Sequence, residues 1–150
     1  MQLIEAPRLT KLVIDSSVVI KWFVPEPNSV RARAILAQYQ HGQVALLAPD
    51  IITAEVANVL WRKHSTQRLS PADGQVILDT FRSLRLTTFP VADLLDVAYA
   101  QSIRLRQSVF DMLYVALAQR ERCAYLTADE ELVTAISASV TDVFALSTFR

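Results

Sequence analysis

The sequence predicts an α/β fold, an α/β/α sandwich around a central, mostly parallel sheet of four to five strands. Three observations carry this. Short β-type apolar runs alternate with longer segments of helical period, and strands separated by helices form parallel sheets covered on both faces. The segment 109–121 is apolar on nearly every side, which marks a buried helix. At 150 residues, 52% hydrophobic and 20% charged, the chain fits one domain that buries roughly 70% of its unfolded surface.

Taken in order, residues 1–10 are an N-terminal extension and 11–14 the first strand. "NSVRARAILAQYQH" (28–41) reads as a helix capped by Asn28 or Ser29 and ended by Gly42. "VALLA" (44–48) is a second strand closed by Pro49, after which Asp50 is expected to cap a helix reaching about 64. The Ser-Pro start of "SPAD" (70–73) opens a helix to about 84, a short strand follows at 87–89, and a helix at 93–105. Beyond the buried helix come "CAYLT" (123–127) as a strand, "ADEELVTAIS" as a helix, "DVFAL" (142–146) as the last strand, and a tail over 147–150. In such sheets ligands collect beyond the carboxyl ends of the strands.

Composition excludes several classes. Fifteen basic residues balance fifteen acidic ones, so nucleic acid is not held by a bulk basic excess. The basic pairs read as solvated helix faces, with Arg62 and Lys63 the better candidates for a phosphate contact. Only Gly42 and Gly74 are glycines, too few for a glycine-rich phosphate loop. Cys123 is the lone cysteine, which fits a reducing compartment and excludes a cysteine-rich zinc site. With no secretory signal pattern and no run of ~18 apolar residues, the expectation is a cytoplasmic protein without a membrane partner.

Four acids stand out. Asp15 follows the apolar run Leu12, Val13, Ile14; it is a helix cap, a turn residue or a ligand for a cation, and the adjacent serines are expected to take over the capping. Glu55 lies against the apolar side of its own helix, with Asn58 on the same face one turn on. Asp111 opens the buried helix three residues after Ser108, where a capping box competes with a ligand role. Asp129 again follows a strand, where Thr127 and Glu130 make a plausible box of their own. If the four converge, each close pair costs roughly 4 kcal/mol at about 4 Å and an effective dielectric near 20. Protonation or cations must relieve that, and oxygen-only ligands suit Mg²⁺ or Mn²⁺ rather than zinc. His41 and His64 read as helix-terminal groups, Cys123 as a small apolar residue, and Trp22, Phe23 and Trp61 as core or interface.

"VIDSSVVIKWF", "PDIITAEVANVLWR", "SVFDMLYVALAQR" and "YLTADEEL" resemble the four acidic motifs of the PIN domain, and "KWFVPEP" is most similar to the VapC-type toxins of toxin–antitoxin pairs. The resemblance runs from about residue 11 to about 145. It implies a metal-dependent endoribonuclease with Asp15, Glu55, Asp111 and Asp129 as catalytic metal ligands for Mg²⁺ or Mn²⁺, supported by Ser16, Asn58 and Thr127. It also implies an RNA substrate, plausibly a single-stranded loop, a small antitoxin that enters the acidic groove, and a homodimer. Phe110 and Met112 depart from the commoner Tyr and Ala of the third motif. The competing class is a non-catalytic PIN-fold binding or assembly module whose acids are caps. A phosphoacceptor receiver or a phosphatase is disfavoured, because "DSS" offers neither the second acid nor an Asp at the place of Ser17.

Overall fold

The computed structural model describes residues 9–67 and 69–149, and no side chain at 67. Most of the expected N-terminal extension, residues 1–8 with its reading as signal-free, lies outside the described residues, as does Arg150 of the tail. The elements run β1 (Thr10–Ile14), α1 (Ser16–Phe23), α2 (Ser29–Gln40), β2 (Val44–Pro49), α3 (Ile52–Gln67), α4 (Pro71–Ser83), β3 (Thr87–Phe89), α5 (Val91–Leu105), α6 (Val109–Glu121), β4 (Ala124–Thr127), α7 (Glu130–Ile136) and β5 (Val143–Ala145).

The strands form one sheet in the order β3-β2-β1-β4-β5, with every pairing parallel. The chain first moves outward from β1 to β3 and then crosses back to β4 and β5. Right-handed crossovers place connections of opposite direction on opposite faces, so α1–α4 cover one side and α5–α7 the other. Val13, Ile14, Leu46, Ala48 and Leu126 along the central strands are fully enclosed. Residues 112–118 of α6 are buried without a break, as its all-round apolar sequence predicts, because it packs on the sheet and on α5 at once. Among the described residues no helix is long and apolar enough to cross a membrane.

Several caps differ from expectation. Asn28 occupies the N-cap of α2 in a left-handed conformation but makes no side-chain cap bond. Ser29 instead ties the preceding loop, accepting from the Glu26 N–H at 2.9 Å and donating to the Val24 carbonyl at 3.1 Å. Asp50 faces away from its own helix; its carboxylate accepts the Val91 N–H at 3.1 Å. The bond ties down the first residue of α5, which starts at Val91, two residues before the sequence suggests. Gly42, at φ 72°, ends α2 as predicted, and Ser70 caps α4 through the Asp73 N–H at 3.0 Å. The C-terminal tail is docked: Phe149 packs on the core and its carbonyl accepts from Arg31 at 2.9 Å.

Around α1, Glu26 accepts from both Lys21 and Lys63, and these two bonds hold its carboxyl below the ordinary range against the opposing effect of burial. Lys63, anticipated as a phosphate contact, is paired here with Glu26. Trp22 is core, its indole N–H donating to the Ala32 carbonyl at 2.9 Å, whereas Trp61 is 63% exposed.

Leu126, with no exposed surface, pairs with Ile14 and Phe144 in the sheet. Leu126→Ala should cost about 2–5 kcal/mol. Urea denaturation should show a lower midpoint at unchanged slope.

Candidate active site

Strand order reverses around β1 and β4, and their carboxyl ends form the crevice where α/β sheets collect ligands. Asp15 is the first residue past β1 and is 8% exposed. Its Oδ1 accepts the Ser17 N–H at 3.0 Å and the Ser17 hydroxyl. Its Oδ2 accepts the Tyr125 and Thr127 hydroxyls, each at 2.6 Å. These four bonds use the acceptor capacity of an ionised carboxylate. The expectation that the serines relieve Asp15 of capping is overturned: Asp15 is itself the N-cap of α1. The reason is that the Ser17 hydroxyl is turned across the crevice, where it also accepts the Ala128 N–H at 2.9 Å.

Thr127 ends β4. Its hydroxyl donates to Asp15 and accepts the Asp129 N–H at 3.1 Å, so one side chain links two of the four acids. Asp129 caps α7 by accepting from Leu132 N–H at 3.1 Å. The box expected between Thr127 and Glu130 does not form, because Thr127 points inward to Asp15 and Glu130 accepts from Ser147. Ser108 caps α6 through the Asp111 N–H at 3.1 Å, as expected. Glu55, on the first turns of α3, accepts the Tyr114 hydroxyl from α6.

The four acids feel one another. Burial pushes the Glu55 carboxyl above its ordinary range; the Tyr114 bond opposes this, and Asp15 and Asp111 add to the rise. Burial likewise raises Asp111, opposed by Ser108 and reinforced by Asp15 and Asp129. Tyr114 and Tyr125 are pushed far up by burial first and by these anions second, so both stay protonated donors. Among the described residues no three His, Cys, Asp or Glu side chains are gathered closely enough to hold a metal ion as they stand. The donor chemistry nevertheless suits a hard divalent cation, since the set is all oxygen and its mutual repulsion is what positive charge relieves.

Of the supporting residues, Thr127 is at the centre of the network, Asn58 is exposed on α3, and the contacts to Asp15 come from Ser17 rather than Ser16. Ser17, Tyr114 and Tyr125 were missed by the sequence reading. The signals were present: Tyr114 lies three residues after Asp111 on one helix face, and Tyr125 two before Thr127 on one strand face. His41 holds the Ala37 carbonyl at its helix end, and His64 the Leu69 carbonyl in a loop. The Cys123 thiol is pushed up by burial.

The raised carboxyls fix a sign. A folded acid that keeps its proton where the unfolded chain has lost it makes stability fall as pH rises from the unfolded value through the raised one. In metal-free protein, Glu55→Gln and Asp111→Asn should therefore raise Tm at about pH 7.5, and the gain should shrink toward about pH 4. Thermal melts across that range check both.

Comparison with known proteins agrees with this fold. The PIN domain family model matches residues 12–135. Ribonuclease VapC9 of Mycobacterium tuberculosis is 34% identical over 121 residues, covering 81% of this chain and 87% of that protein. Among solved structures, the M. tuberculosis toxin VapC20, described as cleaving the sarcin-ricin loop, superposes with a TM-score of 0.64 at 14% identity, covering 88% of this chain and 98% of that one. A toxin–antitoxin complex from Klebsiella pneumoniae gives a TM-score of 0.57 at 18% identity over 90% and 97% of the two chains. With its parallel sheet and four acids in order, the chain belongs to the PIN-domain family, and its sequence relatives include VapC ribonucleases.

Proposed function

We propose that the chain is a metal-dependent endoribonuclease, the toxin of a type II toxin–antitoxin pair, acting in the cytoplasm. The observation that carries this is the placement of Asp15 after β1, Glu55 on α3, Asp111 on α6 and Asp129 after β4, with Asp15 and Asp111 acting on Glu55 and Asp15 and Asp129 acting on Asp111. Asp15 and Asp111 are the principal candidates to hold Mg²⁺ or Mn²⁺, with Glu55 and Asp129 completing the set. A bound ion there would polarise the scissile phosphate and lower the pKa of a water for in-line attack, leaving 5′-phosphate and 3′-hydroxyl ends. The residues themselves supply orientation and charge. Thr127 and Ser17 fix Asp15, Ser108 fixes the start of α6 and Tyr114 fixes Glu55. No side chain is required as nucleophile. Ser16 and Asn58 flank the set as minor contributors.

The family relatives support RNA as substrate. An acidic crevice repels a phosphate backbone until its charge is compensated, so substrate and cation binding should be coupled. Phe110, 56% exposed beside Asp111, offers a flat face on which an unstacked base of a loop can lie. A cavity of about 390 Å³ beside Asp129, lined also by Lys21, Glu130 and Glu131, is a candidate seat for a peptide of a small antitoxin, and the fold shared with a toxin–antitoxin complex supports such a partner.

The homodimer has a candidate face on α5. Leu95, Tyr99 and Ile103 recur every fourth residue and are 43%, 60% and 67% exposed. Asp93 and Asp96 lie in the first half of α5 and Arg104 in the second, with no ion-pair partner among the described residues. Antiparallel two-fold pairing sets each acid pair against the partner subunit's Arg104, whereas parallel pairing opposes like charges.

A non-catalytic reading draws on the caps that Asp15 and Asp129 make. It requires that Mn²⁺ leave Tm unchanged, whereas the ribonuclease reading requires Mn²⁺ to raise it. RNA cleavage should need Mg²⁺ or Mn²⁺, stop with chelator, and fall by about 100-fold or more in Asp15→Asn and Asp111→Asn, given that even outer partners of metal ligands are worth 10–100-fold. Full activity in either variant, or with chelator, overturns the proposal. By sedimentation, the wild-type chain should be a dimer and Ile103→Glu a monomer; a wild-type monomer at micromolar concentration would sink the α5 interface.

A further inference from the structure

Two buried tyrosines enter the acidic crevice from opposite elements. Tyr114 comes from α6 and Tyr125 from β4, and each is 1% exposed. Their rings stack with centroids 5.6 Å apart and planes 19° from parallel. The hydroxyls diverge: Tyr125 donates to Asp15 Oδ2 at 2.6 Å, and Tyr114 donates to Glu55 Oε1. One aromatic unit therefore contacts the acid after β1 and the acid on α3 together.

We propose that Tyr114 and Tyr125 act as one pair of positioning residues, setting the orientation and separation of the Glu55 and Asp15 carboxylates. As a statement about a cation site it rests on the metal-dependent reading above. Packing alone does not account for the hydroxyls, because phenylalanine fills the same core without a phenol to desolvate. A tyrosine has only two side-chain torsions, and here stacking and burial fix both rings, so each hydroxyl is a donor at a set place. Serine or threonine hydroxyls rotate about a single bond. On Asp15, Oδ2 is held by the Tyr125 and Thr127 hydroxyls, while Oδ1 accepts the Ser17 N–H and hydroxyl. Tyr125 and Thr127 together pin Oδ2 and leave Oδ1, bound to the Ser17 N–H and hydroxyl, as the edge that a cation can take in place of the Ser17 hydroxyl. At 1% exposure neither tyrosine touches substrate, so neither is a catalytic residue.

Tyr114→Phe, Tyr125→Phe and the double variant keep the rings and remove the donors; Tyr39→Phe, whose hydroxyl donates to the Leu84 carbonyl instead of to any of the four acids, is the control. In metal-free full-length protein, the carboxyl ¹³C signals should move for Glu55 in Tyr114→Phe and for Asp15 in Tyr125→Phe. By calorimetric titration with Mn²⁺, each single variant should bind about 10- to 100-fold more weakly, and the double variant should lose less than the product of the two because the rings act as a unit. Unmoved carboxyl signals, or Mn²⁺ affinity unchanged or tighter in both single variants, would overturn the proposal. Wild-type protein that binds no Mn²⁺ brings down the metal-dependent reading, and the carboxyl signals then decide the positioning role by themselves. Should a phenylalanine variant lose its cooperative melt, 3-fluorotyrosine incorporation keeps every ring while altering the phenol donor. The same two carboxyl signals should then shift, and their standing still is again the negative outcome.

Discussion

The carboxylate of Asp15 is the interaction on which the rest of the molecule turns. It accepts four hydrogen bonds from three side chains and one backbone N–H. Those donors lie at the start of α1 and along β4, so a single residue closes the end of β1, begins the first helix and joins two strands at the reversal of the sheet. A buried anion is tolerable only when its lone pairs are satisfied, and here they are satisfied by groups that the parallel sheet alone brings together. The cap and the candidate ligand are the same carboxylate, and the two roles do not exclude each other.

Around that carboxyl group the protein gathers Glu55, Asp111 and Asp129. Glu55 and Asp111 are held by hydrogen bonds yet remain above their ordinary range, because desolvation and neighbouring charge outweigh the donors supplied. The fold carries this cost in one crevice while the rest of its core is apolar and closed. Elsewhere charge is handled in the opposite way: Glu26 sits between two lysines and is held low. The four acids are left short of positive charge in a scaffold that pairs half-buried Glu26 with two lysines, a contrast that the proposed cation would resolve.

Much of the fold was legible in the sequence because its signals are local. Helical and strand periods, Ser70, Ser108 and Gly42 each act within a few residues, and the buried character of α6 follows from its own composition. The failures are equally specific. Asp50 and Asn28 carry the right side chains for caps, but Asp50 is claimed by Val91, forty-one residues away, and Asn28 is bent into a left-handed turn. The pairing of Lys63 with Glu26, thirty-seven residues earlier, is likewise invisible to a local window.

By itself the sequence determined the alternating α/β order, the placement of four acids at strand ends and helix starts, and the oxygen-only chemistry they share. Period, propensity and side-chain type are properties of short windows, and they survive without knowledge of the neighbours. Only the tertiary structure decided that Asp15 caps its own helix, that Ser17 rather than Ser16 meets it, and that Tyr125 and Tyr114 reach Asp15 and Glu55 across 110 and 59 residues of chain. Those contacts depend on which strand lies beside which and on how far one helix packs over the sheet. No local pattern encodes a distance of that kind; it exists once the core has closed.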